Sequence, residues 1–201
     1  LKDGGSGMLV LALSGSPRRG GNTEILLDEA LDAARAAGAE TQKIVLSDLQ
    51  YSSCRACGAC ESTGICIQKD DMQEIYERIG AADAMIFSSP IYFYAVSGWS
   101  KSAIDRAQAL WARKYRLKDP RYTGEKKGYC IFVGATRGAR LFDGARLTMK
   151  YYYDAAGFVP TGDVAVNGID EKGDIRLHPE YMEAARRLGA AAATGETMLP
   201  E

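Results

Sequence analysis

Met8-Leu9-Val10-Leu11-Ala12-Leu13-Ser14-Gly15-Ser16-Pro17-Arg18-Arg19-Gly20-Gly21-Asn22-Thr23 changes character partway along, and the change decides the fold. Residues 8–13 are apolar without a break, the pattern of a parallel strand covered on both faces. Residues 14–23 combine glycine, serine, proline and charge, and no helix survives there. A helix follows directly. Leu27, Ala30, Leu31 and Ala34 make its buried stripe, and Asp28, Asp32 and Arg35 lie on its wet side. Asn22 or Thr23 supplies its N-cap and Gly38 its stop.

The alternation continues. Residues 43–46, 84–87, 129–133 and 164–166 read as the second to fifth strands. Helices are expected from Asp70-Asp71 through Ile79, and over 97–115, 141–156 and 179–188. Strands alternating with helices predict an α/β fold with one parallel sheet covered on both faces. One domain over 8–201 accommodates these elements, and residues 1–7 read as a linker or expression remnant. Residues 47–69 show no periodic element. A loop of that length in a compact domain has a function or is organised by something bound to it.

Ligands of open parallel sheets sit beyond the carboxyl ends of the strands. Three irregular loops fall there. The first suits a phosphate: Gly15, Gly20 and Gly21 let backbone N–H groups approach, and the following helix adds a partial positive charge. Ser14, Ser16 and Thr23 add hydroxyls, Asn22 an amide, and Arg18 or Arg19 a full charge. Hydrogen bonds to a charged acceptor are worth roughly 1.5–3 kcal/mol each, so several hold a phosphomonoester firmly. The bland alternative is a hydrophilic strand-to-helix turn. Gly-Lys-Ser/Thr and G-x-G-x-x-G are both absent, which counts against nucleoside triphosphatases and dinucleotide-binding folds.

The second loop, 88–94, sets Pro90 and Ile91 beside Tyr92, Phe93 and Tyr94, flat side chains that suit a planar heterocycle. Taken singly, each aromatic is equally at home in a core. The third, Gly134-Ala135-Thr136-Arg137-Gly138, offers backbone donors and Arg137 to the same heterocycle.

Four of the five cysteines are packed into Cys54-x2-Cys57-x2-Cys60-x5-Cys66. Two-residue gaps turn successive thiolates toward one object the size of a cubane cluster. Zinc also accepts four thiolates, although structural zinc sites split their ligands into two separated pairs. Redox or idle thiols without metal are the third alternative. Cys130 lies in an apolar strand and reads as a small core residue. His178, the single histidine, precedes Pro179 and reads as a surface helix cap.

Composition narrows the function further. Net charge is −1, with 46% hydrophobic and 25% charged residues, so nothing pulls the chain toward nucleic acid or an anionic membrane. No apolar run approaches the roughly 18 residues that cross a bilayer. No export signal is visible, so a reducing cytoplasm is expected, where clustered cysteines serve as metal or redox ligands. The basic run Arg113, Lys114, Arg116, Lys118, Arg121, Lys126 and Lys127 reads as a solvated face, or more sharply as a dock for an acidic electron-carrier protein.

Together, Gly15-Ser16-Pro17-Arg18 with Asn22-Thr23, Ser89-Pro90-Ile91-Tyr92-Phe93 and Lys101…Asp105-Arg106 resemble the NADPH-dependent FMN reductase branch of flavodoxin-like proteins. The cysteine quartet followed by Asp70-Asp71-Met72 resembles the iron–sulfur flavoproteins within it. The resemblance is strong over residues 8–138 and loose beyond. It implies a flavodoxin-like three-layer sandwich with a five-stranded 2-1-3-4-5 sheet. It also implies non-covalent FMN on the three loops, a 4Fe-4S cluster on Cys54, Cys57, Cys60 and Cys66, and a homodimer or homotetramer. The segment 111–127 is longer and more basic than the family's usual connection. The function expected is an oxidoreductase whose FMN takes two electrons from NAD(P)H or a reduced carrier and passes them singly through the cluster. Rival functions are a cluster-free NAD(P)H:FMN or quinone reductase with redox thiols, and a non-catalytic redox carrier or sensor.

Overall fold

The computed structural model of the chain describes residues 7–198. The expected linker, apart from Gly7, lies outside the described residues. Five parallel strands form the sheet: β1 (Leu9–Ser14), β2 (Glu40–Val45), β3 (Ala84–Tyr92), β5 (Lys126–Gly134) and β6 (Phe158–Asn167). A two-residue strand, β4 (Ala95–Val96), pairs antiparallel with β3. The spatial order is β2-β1-β3-β5-β6, which is 2-1-3-4-5 once β4 is set aside.

Both faces are covered, and side-chain alternation divides the core. Leu11 and Leu13 of β1, with Phe132 of β5, face helices α3 (Met72–Ala81) and α6 (Asp143–Ala156). Val10 and Ala12, with Ile131 and Val133, face α1 (Asn22–Ala36) and α7 (Pro179–Thr194). This two-sided burial is why β1 contains no polar residue before Ser14.

Four expected boundaries change. β3 runs on through the expected loop to Tyr92, with Pro90 in register with Val133. β6 is far longer than 164–166, because an edge strand alternates polar and apolar residues and carries Pro160 where its missing N–H costs little. α7 continues past Leu188, and Gly189 is no stop. A Cβ there would lie 1.8 Å from the Ala30 carbonyl oxygen, so glycine lets α7 pack closely on α1. The helix expected over 97–115 breaks into α4 (Gly98–Asp105), α5 (Gln108–Trp111) and a π-turn over Ala112–Arg116. Arg106 and Ala107 form the break.

Candidate functional site

The loop that carries the cysteines is closed at its base. Leu46–Asp48 form a short 3₁₀ turn, and α2 (Cys60–Thr63) is a single turn in a stretch with no periodic sequence signal. Gln50 donates its N–H to the Asp71 carboxylate at 2.6 Å, and Asp71 donates its own to the Gln50 carbonyl at 3.2 Å. Both stems therefore meet where α3 begins. Between them the chain turns through left-handed Ala56, Gly58 and Gly64.

Cys54, Cys57, Cys60 and Cys66 line one cavity of about 340 Å³, together with Arg106, Gln108 and Trp111. Burial pushes the Cys60 thiol upward, and Cys66, Cys54 and Cys57 reinforce the shift. Cys57 is exposed and the other three are half-buried. Among the described residues, no three His, Cys, Asp or Glu side chains form a set that could hold a metal ion as they stand.

Two arginines brace this loop. The Arg106 side chain, with no exposed surface, donates from Nη1 to Asp70 Oδ2 at 2.6 Å and from Nη2 to Oδ1 at 2.9 Å. Nη1 also reaches the Ser52 carbonyl at 2.9 Å, while Nε is buried without a partner. Burial alone would raise the Asp70 pKa, but Arg106 holds this carboxyl below the usual range. Arg113 Nε donates to the Gly64 carbonyl at 2.7 Å and Nη1 to the Tyr122 hydroxyl at 2.8 Å.

Part of the basic segment is committed to the protein itself, while Arg116, Lys118 and Arg121 keep the exposed character expected of a solvated face. Lys114 binds Asp154 at 2.8 Å, Arg121 binds Asp119 at 2.6 Å, and Lys126 reaches the Gly80 carbonyl at 3.0 Å.

The first loop is organised by serines. Gly15 donates to the Ser88 carbonyl at 2.7 Å and accepts from the Ser97 hydroxyl at 2.6 Å, so this loop and the β3–β4 hairpin are joined directly. Ser14 Oγ and Ser88 Oγ are buried without partners at adjacent strand ends. Ser16 Oγ accepts the Arg18 N–H at 3.3 Å, and Thr23 is buried. The N–H groups of Asn22, Thr23 and Glu24 have no acceptor among the described residues. A helix start leaves its first donors free for an anion.

Asn22 differs from the expectation of a phosphate amide, because its side chain is already occupied. It donates to the Glu171 carbonyl at 2.8 Å and accepts from Gly173 and Ile175 N–H at 2.9 and 3.3 Å. The segment it holds lies against the loop. Arg18 donates to the Asp170 carbonyl at 3.1 Å, and the Lys172 ammonium approaches Gly20. Lys172 carries no local sequence signal as a loop residue and is the cation that sequence reasoning missed. Arg19, by contrast, is neutralised by Glu24 and Asp48.

The second loop is a hairpin. Phe93 and Tyr94 occupy a two-residue turn at φ 49° and 62°, and Phe93 is fully exposed. Pro90 and Tyr92 present an open strand end, whereas the Ile91 side chain points into the core. Tyr94 packs against Gly138 and Gly144, which brings the third loop alongside the hairpin. Ala135, Thr136 and Arg137 of that loop are exposed, with Arg137 lying against Gly168.

Two residues read as bland are placed accordingly. Cys130 is buried, and burial pushes its thiol up to about 12. His178 occupies the N-cap position of α7 but caps through its carbonyl, its ring turning to Glu180 at 3.3 Å.

A 2-1-3-4-5 parallel sheet, with a free helix N-terminus after β1 and two further loops at the same edge, defines a flavodoxin-like protein of the mononucleotide-binding class. The sequence model of the NADPH-dependent FMN reductase family matches residues 8–169, and the chain belongs to that family. It is a flavin-dependent oxidoreductase. An iron–sulfur flavoprotein of Methanosarcina thermophila is 33% identical over 159 residues, 78% of each chain. One from Methanocaldococcus jannaschii is 32% identical over 92% of this chain and 96% of its own. Among solved structures, NAD(P)H:quinone oxidoreductase from Methanothermobacter marburgensis superposes with a TM-score of 0.68 at 19% identity, covering 92% of this chain and 98% of that one. No helix among the described residues is long and apolar enough to cross a membrane.

Proposed function

We propose that the chain is an FMN- and 4Fe-4S-dependent oxidoreductase that takes two electrons from NAD(P)H or a reduced carrier and releases them singly. The convergence of Cys54, Cys57, Cys60 and Cys66 on one cavity carries this proposal. An all-thiolate set around a space larger than one ion is the donor chemistry of an iron–sulfur cluster. The names of the two archaeal relatives support it.

FMN, when bound, supplies the exchange between two-electron and one-electron chemistry, and the cluster carries single electrons. The donor chemistry of the residues present suits both groups. The free N–H groups of Asn22, Thr23 and Glu24, with Ser16, Arg18 and Lys172, hold the phosphate. The strand end at Pro90 and Tyr92 and the loop Ala135-Thr136-Arg137 flank the ring system. Arg55 and Lys69 stand exposed at the ends of the cysteine run, where an acidic electron carrier would dock.

Phe93, fully exposed, with Tyr92, Tyr94 and Trp99 about half exposed, gives an apolar face that a second copy of the chain would cover. Sedimentation of the loaded protein at micromolar concentration is expected to show a homodimer or homotetramer; a monomer removes this part of the proposal.

The deciding measurement is iron and acid-labile sulfide per flavin in anaerobically purified protein, alongside NAD(P)H oxidation with a dye acceptor. The expected result is a full cluster for each FMN. The exposed Cys57, and a quartet not gathered for a metal ion as it stands, favour a second reading, a cluster-free reductase with redox thiols. Turnover with FMN and no iron would establish that one.

A further inference from the structure

Arg106 is placed unlike any other cation near the cavity. Its guanidinium is fully buried, and Asp70 fixes it end-on through two short hydrogen bonds. Asp70 belongs to the returning stem of the cysteine loop, and Ser52, the carbonyl partner of Nη1, to the outgoing stem. One side chain therefore holds both stems to the break between α4 and α5. Arg106 is also among the residues that line the cavity, and its Nε–H is left buried without an acceptor. Unpaired buried donors are rare, and a charged one carries a large desolvation cost. The usual resolution is an acceptor that arrives with a ligand.

We propose that Arg106 is the positioning residue of the cysteine cavity, its Nη groups fastening both loop stems while its Nε–H donates to the group that the four thiolates hold. The inference rests on the cluster reading for the identity of that group. The fastening of the loop does not depend on it. A thiolate-bound cluster gains negative charge on reduction, and a fixed cation beside it stabilises the reduced form more than the oxidised one. Lysine would keep the charge but lose the fork, since an ammonium does not bridge Asp70 and Ser52 in one plane.

The test uses full-length protein reconstituted with ferrous iron and sulfide, and apoprotein in parallel. In apoprotein, Arg106→Lys is expected to speed trypsin cleavage after Arg55 and Lys69 at least fivefold, with far-UV circular dichroism retained. In reconstituted protein, Arg106→Gln is expected to shift the cluster midpoint potential to more negative values, and Arg106→Lys to restore most of that shift. If Arg106→Gln does not fold, Asp70→Asn replaces it, keeping the cation but freeing the loop. The expected result is then fast cleavage in the apoprotein, with a cluster midpoint potential at or above the wild-type value because the cation is kept. Equal cleavage of wild-type and Arg106→Lys apoprotein overturns the positioning role. A loaded Arg106→Gln protein with an unshifted potential overturns the role of Nε. Wild-type protein that takes up no iron fails the cluster reading instead, and the cleavage comparison still decides the fastening.

Discussion

Asp70 and Arg106, 36 residues apart in the chain, meet through hydrogen bonds of 2.6 and 2.9 Å that pin the cysteine loop to the α/β body. Asp70 reads from sequence as the start of a helix. It does accept the Met72 N–H at 3.2 Å, but its larger partner is the guanidinium. Removing one member of a buried ion pair leaves the other charge uncompensated, which costs about 3–5 kcal/mol. Asp70→Ala is expected to lower stability by about 3 kcal/mol, measured by denaturant unfolding.

The same pair sets an acid limit. Arg106 holds the Asp70 carboxyl below its ordinary range, so its contribution is complete above the unfolded value of about 3.9. It is lost as pH falls from there through the lower folded value. Thermal unfolding of wild type should therefore lose stability below about pH 4. Asp70→Asn, less stable at neutral pH, should lose less on acidification, and parallel curves for the two proteins would contradict the linkage.

Thiol chemistry should separate the quartet from Cys130. Three of the quartet are half-buried and Cys57 is exposed, whereas Cys130 is buried with its thiol pushed up to about 12. In folded apoprotein at pH 8, an aromatic disulfide reagent should modify the quartet, with Cys130 reacting only after denaturation. In loaded protein, Ala at any quartet position should abolish the broad visible cluster absorption and leave the flavin bands, while Cys130→Ala should change neither.

Flavin affinity should depend on cations from two distant parts of the chain. Arg18→Ala with Ser16→Ala, and separately Lys172→Ala, are expected to weaken FMN binding about tenfold or more, since a charge-assisted hydrogen bond is worth roughly 1.5–3 kcal/mol. Titration of apoprotein with FMN, followed by flavin fluorescence quenching, measures this. Unchanged binding in Lys172→Ala would remove the segment held by Asn22 from the site.

Gly64 is a point of contact between the cysteine loop and the basic segment. It sits at φ 69°, and a Cβ there would lie 2.7 Å from Arg113 Cγ. Gly64→Ala is expected to cost about 1–2 kcal/mol from the left-handed backbone alone. The added clash should loosen the loop, read as lower iron and sulfide retention on dilution into chelator.

Much of the molecule is legible from short-range pattern. The apolar run before Ser14 and the glycine-rich turn after it specify a two-sided strand and a helix start with free N–H groups, because strand burial and backbone freedom are encoded within a few residues. The cysteine spacing brings its four thiols to one cavity for the same reason. The edge strand β6 is less legible, since solvent on one side lets Pro160 and Gly162 stand within it and blurs its period.

Other features have no local signature. The commitment of Asn22 to Gly173 and Ile175, the arrival of Lys172 beside Gly20, and the bracing of Gly64 by Arg113 each join residues far apart in sequence. The basic segment shows the difference most clearly: as a string it is a charged surface, and in the fold Arg113 and Lys114 are spent on Asp154, Tyr122 and the Gly64 carbonyl while Arg116, Lys118 and Arg121 stay exposed. The sequence by itself determined the sheet, the glycine-rich turn after β1 and the thiol quartet, because hydrophobic period, glycine content and cysteine spacing act over a single turn or strand. Only the tertiary structure decided which cations hold the cysteine loop in place, because a buried guanidinium is stabilised by whichever carboxylate and carbonyls the packed helices bring to it.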